Sequence, residues 1–278
     1  MGDRAFYRHY LLLAVPMILQ NAITNLVSFL DNIMVGQLGT EQMSGVAIVN
    51  QLIFVYNLAI FGAVSAASIF GAQYFGNGDH RGHMHSFRFK LYATLLVSGF
   101  TMLLLLTKGS DLISLYLTDT VGNGATDVAL QYGKQYLVIM LVGLVPFAVN
   151  QAYATNIKET GQTLVPMLAS FVAVGTNAVL DYLLIFGVGP FPELGVTGAA
   201  LATVIARYVE AVIVVFWAHR NREKNRYLEG AYRGFGIPVS ELKTILIKGL
   251  PLMFNEVLWA AGMTTVTQCY SVRGLDVV

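Results

Sequence analysis

Charge is what this chain has least of. Only 12% of its 278 residues are Asp, Glu, Lys or Arg and 55% are hydrophobic, whereas an ordinary soluble domain is about 25% charged. A water-soluble protein of this size could not keep such a surface wetted. Between Gln42 and Gly78 there is no charged residue at all, a run longer than the roughly 20 residues that cross a bilayer, which predicts one long or tilted spanning helix. A single cysteine, Cys269, excludes an internal disulfide framework and leaves no thiolate set for zinc. A net charge of +1 argues against a nucleic-acid partner. No phosphate-cradling loop and no hydrolytic triad are present, so the chain is not read as an enzyme; no cofactor is expected, and any transport would draw on an ion gradient. The first apolar run is no cleavable signal, because it is too long, contains Pro16, Gln20 and Asn21, and lacks a small-residue cleavage site.

What remains is an all-α polytopic helix bundle in the lipid bilayer. Hydropathy places seven spans, at 10–35, 44–75, 89–107, 130–156, 164–187, 196–218 and 245–270. Basic residues accumulate on the cytoplasmic side of membrane proteins. With the N-terminus inside, 13 of the 17 Lys and Arg fall in inner segments; the exceptions are Lys108, Lys134, Arg207 and Arg273. The expectation is therefore a multi-pass plasma-membrane protein with a cytoplasmic N-terminus. Arg220 to Arg226 then mark an inner loop, and 238–248 reads as an interfacial lead-in to the seventh span.

Residues 15–21 resemble residues 250–256, each with a proline followed one turn later by polar groups, and both run from inside to outside. Six spans between them restore the same sidedness, as a parallel repeat requires. The expected organisation is a six-helix lobe at 1–219, a cytoplasmic linker at 220–243, and at 244–278 the first helix of a second, incomplete lobe. Pro16 and Pro251 are the matching hinge candidates.

An acid or an arginine inside a span costs about 2.5–3.5 kcal/mol on insertion scales and so needs a partner or a purpose. On span one, Asp31, Ser28, Thr24, Asn21 and Gln20 share one arc, opposite Leu19, Ile23, Leu26 and Leu30. Asn177 and Asp181 stack four residues apart on span five. Thr203, Arg207 and Glu210 share a face of span six, where Arg207 and Glu210 can neutralise each other as an internal ion pair. Measured at ~1.5 Å per residue, Asp31, Asp181 and Thr203 lie at similar depth. Two carboxylates, an amide and a hydroxyl at one level can exchange protons near neutral pH or coordinate Na⁺; the residues do not separate these options. Glu256, one turn beyond Pro251, is a further acid candidate.

At these positions the sequence resembles the multidrug and toxic compound extrusion (MATE) family. The resemblance is carried by Pro16, Asp31 to Gly36, Gly71 to Gly76, Lys158 to Gly161, Asn177 to Asp181 with Phe186-Gly187, Gly198 to Thr203, and Pro251 to Glu256. It implies two six-helix lobes facing each other in a V. It also implies export of small organic cations or other xenobiotics in exchange for H⁺ or Na⁺. The family's cation site would match Asp31, Asn177, Asp181 and Thr203, its hinge Pro16, and its second-lobe acid Glu256. The amide expected on span four matches Asn150 or Gln151 equally well. A family member would continue through five more helices, so a missing C-terminal lobe is expected. A lipid-intermediate flippase shares this architecture but calls for more basic residues than Arg207. A seven-helix receptor would place the N-terminus outside, and a retinal protein would need a lysine deeper in span seven than Lys248.

Overall fold

The structure is a computed structural model that describes residues 4–117, 125–234 and 236–271. It contains eight α-helices among the described residues: α1 (Arg4–Gly36), α2 (Thr40–Gly76), α3 (His80–Ser114), α4 (Ala125–Val142), α5 (Leu144–Glu159), α6 (Leu164–Phe186), α7 (Val196–Arg220) and α8 (Val239–Ser271), with one 3₁₀ turn at Arg226–Leu228. No strand occurs among them. Five of these helices are long and apolar enough to cross a membrane, and a sixth crossing follows if α4 and α5 form one broken span. The all-α fold class stands.

The helix over the seventh expected span, α8, is not among the crossing helices, and the fourth expected span is where sequence and structure part most. It is two helices meeting at 44°, and the residues at the joint explain the break. Pro146 has no N–H to offer the carbonyl of Val142, and Gly143 closes a tighter turn through its N–H to Met140 O, 3.0 Å. A side chain at Gly143 would press on Val204 Cγ2 and Arg207 Cδ of α7. Carbonyls just beyond the break are also held from other helices. The Tyr56 hydroxyl donates to Leu144 O at 2.8 Å, and Arg207 Nη1 reaches Gly143 O at 3.4 Å. The lead-in expected at 238–248 also differs, because from Val239 onward it is the first part of α8 itself.

α2 is the post of the bundle. Its 37 residues correspond to roughly 55 Å at ~1.5 Å per residue, and α1, α3, α4, α5 and α8 all pack against it. Small residues permit these approaches, as is usual between membrane helices. A Cβ on Gly45 would collide with the backbone of α4, and one on Gly198 would meet Leu184 O of α6 at 2.6 Å. Leu96, Phe100, Leu103, Val212 and Phe216 point outward, the surface that lipid tails cover. On α1, Leu19, Leu26 and Leu30 likewise face out.

Candidate functional site

Two chambers open between α1, α2, α4, α5, α6 and α7. The upper, about 400 Å³, is walled by Ser28, Asp31 and Asn32 of α1, Asn50, Gln51 and Asn57 of α2, Tyr136 and Met140 of α4, and Thr203 and Arg207 of α7, with three apolar side chains of α2. The lower, about 230 Å³, shares Ser28, Asp31, Asn57, Thr203 and Arg207 and adds Thr24, Phe147, Ser170, Ala173, Val174, Asn177, Ala206 and Glu210. The chambers exist because α1 leans on α6, which in turn packs along α7, bringing Thr24, Ser28 and Asp31 of the polar arc to the chamber walls and Gln20 to Ser170, while Asn21 stays exposed.

Asp31 and Asp181 come together at this level, close enough for their carboxyls to interact directly, and Asn177 stands beside Asp181. Thr203 is a wall residue of both chambers next to the Tyr136 phenol, whose hydroxyl donates to Asn50 Oδ1 at 3.2 Å. Asp181 is 1% exposed and Asn177 5%. The polar atoms here are short of partners. Asp31 Oδ1, both oxygens of Asp181, Asn57 Oδ1 and Asn177 Nδ2 are buried with no hydrogen bond. An orphaned buried carboxylate is expensive, and two of them side by side repel as well. A shared proton or a bound monovalent cation would supply what is missing. The oxygens of Asp31, Asp181, Asn57 and Thr203 form a hard donor set that suits Na⁺ as well as H⁺. Among the described residues there is no cluster of three or more His, Cys, Asp or Glu to hold a more demanding metal.

The expected ion pair between Arg207 and Glu210 does not form. Sharing a helix face brought them near, but each has a better partner on a neighbouring helix. Arg207 turns to Gly143 O and lies over the Phe147 ring, 5.2 Å from its centroid. Glu210 Oε1 accepts from Ser170 Oγ at 2.5 Å, and Ser170 in turn accepts from Gln20 Nε2 at 2.6 Å. This three-helix chain was half legible: Gln20 and Glu210 were visible as buried polar residues, whereas Ser170 gave no signal. Pro16 is buried inside an uninterrupted α1, and Pro251 is exposed inside α8. The side chain of Glu256 lies outside the described residues. Of the two amides on the broken span, Asn150 is the buried one, with Oδ1 unpartnered.

A second polar cluster, whose members the sequence showed only as counted basic residues or as parts of the stretches at 71–76 and 158–161, closes the other end of the bundle. Lys90, 0% exposed, holds Glu159 and donates to Asn156 Oδ1 at 2.5 Å, while His83 Nε2 meets the other Glu159 oxygen at 3.2 Å. A Cβ at Gly71 would run into the Glu159 carboxylate, which gives that glycine its reason. Arg88 donates to three backbone carbonyls, Gly230 O at 2.7 Å and Ala231 O and Gly236 O at 2.8 Å, pinning the connection between α7 and α8. Within that connection burial pushes the Tyr227 phenol above its ordinary pKa, and the nearby Glu159 adds to the shift. His85 Nδ1 meets Glu241 Oε2 of α8 at 2.8 Å.

Spanning helices around an acid-lined polar interior define an α-helical integral membrane protein. The family model described as MatE matches residues 16–183, more than half of the chain, and the chain belongs to this family of membrane transporters. A protein of Thermotoga maritima named probable multidrug resistance protein NorM is 26% identical over 95% of the chain and 54% of its own length. A protein of the same name from Rhizobium meliloti is 30% identical over 80% of the chain and 46% of its own length. The chain thus spans about half the length of the curated relatives it matches. Among solved structures, a MATE family transporter of the MOP superfamily in an outward-facing conformation is 22% identical with a TM-score of 0.76, covering 92% of this chain and 54% of that one. A MOP superfamily transporter from Pyrococcus furiosus is 23% identical with a TM-score of 0.77, again over 92% and 54%. At these identities the structural likeness speaks for the fold.

Proposed function

We propose that this chain forms the ion-coupling lobe of a secondary antiporter that exports small organic cations or other xenobiotics in exchange for H⁺ or Na⁺. It sits in the plasma membrane with its N-terminus in the cytoplasm, as the distribution of basic residues suggests. The observation that carries the reading is the pairing of Asp31 with Asp181, whose buried oxygens lack donors. Such a pair is stable only when it holds a cation or a proton, and it therefore senses both sides of a gradient. Multidrug resistance in the names of the related proteins supports the export of drug-like compounds.

Exchange arises if the coupling ion and the substrate bias one conformational equilibrium in opposite directions, with two lobes rocking about a central site. The second lobe is the partner this mechanism requires, and α8 with Pro251 and Glu256 is its first helix. Pro16 leaves the Leu12 carbonyl without its helical donor, a weak point at which α1 can bend when the charge on Asp31 changes. The test uses membrane vesicles from cells producing the protein and follows efflux of a fluorescent organic cation under imposed proton or sodium gradients. Asp31→Asn and Asp181→Asn should each abolish the gradient dependence. Full retention in both variants removes the site.

A further inference from the structure

Outside both chambers, the surface of the bundle carries an apolar groove of about 560 Å³ between α5 and α7. Pro146 and Ala211 are buried at its base, and Val145, Val212 and Phe216 stand exposed along it. None of its wall residues lines either chamber. From Tyr208 to His219 it follows α7 for roughly 16 Å, at ~1.5 Å per residue, toward the basic end of the bundle. The groove alone would accept a tail of any phospholipid. What lies at its end is more selective. His219 closes the groove and stacks on Tyr232, with ring centroids 5.9 Å apart and planes at 17°. Tyr232 is also a wall of a second, polar pocket of about 370 Å³, together with Arg222, Glu229 and Arg233. One aromatic stack therefore joins an apolar hollow to a basic one.

The basic pocket is held in shape by the rest of the fold. Arg88 donates to Gly230 O, Ala231 O and Gly236 O, fixing the chain on both sides of Tyr232 and Arg233. The Tyr232 hydroxyl meets that of Tyr153 on α5. Asn225 Nδ2 donates to Asn221 O at 3.0 Å, closing the turn that carries Arg222. Among the described residues neither Arg222 nor Arg233 forms an ion pair, and Glu229 is the only acid on the pocket wall. Two guanidinium groups against one carboxylate leave a surplus of one positive charge, which a phosphodiester balances. Forked guanidinium donors suit phosphate oxygens, and basic pockets at the inner ends of spanning helices are where anionic headgroups are recognised. We propose that this face holds one anionic phospholipid of the adjoining leaflet, with a tail in the α5–α7 groove and its phosphodiester on Arg222 and Arg233. A zwitterionic lipid would leave the surplus charge unbalanced, and a free phosphate would leave the groove unused. The site is separate from the acid pair and does not depend on the antiport reading.

The experiment is native mass spectrometry of the purified full chain in detergent, titrated with phosphatidylglycerol. Phosphatidylcholine and phosphatidylethanolamine of the same acyl chains, and glycerol 3-phosphate, serve as comparisons. One phosphatidylglycerol should bind saturably, and roughly fivefold or more tightly than either zwitterionic lipid. Arg222→Gln and Arg233→Gln should each weaken it about fivefold, whereas Lys224→Gln, which removes the same charge from the same connection outside the pocket, should cost less than about twofold. Val215→Trp, which fills the groove and leaves both arginines in place, should weaken it as well. Equal affinity for a zwitterionic lipid, or an equal loss in Lys224→Gln, overturns the site in favour of unspecific attraction. Glycerol 3-phosphate binding as tightly as the lipid, or no loss in Val215→Trp, overturns the part assigned to the groove and with it the lipid.

Discussion

Lys90 and Asp181 are both charged residues withdrawn from solvent in one helical bundle, yet their surroundings differ at every atom. Around Lys90 the charges are matched, since the ammonium meets Glu159 and Asn156 and the far side of Glu159 meets His83, and only the amide nitrogen of Asn156 is left over. Around Asp181 nothing closes; both its oxygens, one of Asp31 and the amide nitrogen of Asn177 lack partners. A satisfied polar cluster holds helices in register. An unsatisfied one stores a demand for a ligand, and the bundle tolerates it because the packing elsewhere fixes the positions. The contrast marks the acid pair as the candidate functional cluster without reference to any relative.

The sharpest way to break this comparison is to open the satisfied cluster. Glu159→Ala strands the fully buried Lys90 ammonium and should destabilise the chain by about 3–5 kcal/mol, the usual cost of removing one member of a buried pair. Thermal unfolding in detergent reads it. A small effect would mean that Lys90 is not held by Glu159, and the two clusters would then be alike. Next in size is Arg88→Ala, which removes charged donors from three carbonyls of the α7–α8 connection. We expect a loss of about 3 kcal/mol and faster proteolytic cleavage between Arg220 and Val239. Arg88→Lys should recover only part of it, because an ammonium cannot span all three acceptors.

At the unsatisfied cluster the sign changes. Asp181→Asn removes an orphaned charge, so stability should hold or rise, with a change within about 1 kcal/mol, while proton or Na⁺ uptake by the purified chain is lost. A fall in melting temperature as large as that of Glu159→Ala would place the acid pair among the structural clusters.

How much of this the sequence carried differs by region. Six of the seven expected spans were legible, counting the broken one, because apolar length is dictated by the bilayer, and the polar arc of α1 because helical periodicity puts Asp31, Ser28 and Thr24 on one side. That Asp31 meets Asp181 followed from depth measured along separate helices, though nothing local fixed which faces turned toward each other. The Arg207–Glu210 pair misled because i,i+3 spacing shows what a helix offers itself and not what Gly143 or Ser170 offers from across the gap. Lys90 and Arg88 looked like members of a topology count, Glu159 was only one residue of the Lys158 to Gly161 stretch, and His83 drew no attention. Their pairing joins α3 to α5 and to the connection after α7, and separations of that kind leave no periodic trace. The break in span four had a readable signal, Gly143 three residues before Pro146, which hydropathy averaging smoothed over.

That break offers the smallest and most local test. Tyr56, 2% exposed on α2, donates to Leu144 O at 2.8 Å and lies 2.8 Å from Ser98 Oγ. Its hydroxyl therefore ties the first carbonyl of α5 to α2 and α3. Tyr56→Phe keeps the ring against Phe147 and deletes only this service, so the expected cost is about 1 kcal/mol. If the joint is held as the structure implies, amide hydrogen exchange should rise at 143–147 and remain unchanged around Lys90 and Glu159. Equal loosening at both places would show that the broken span and the satisfied cluster form one cooperative unit, and the division of the bundle into a rigid end and a poised centre would have to be given up.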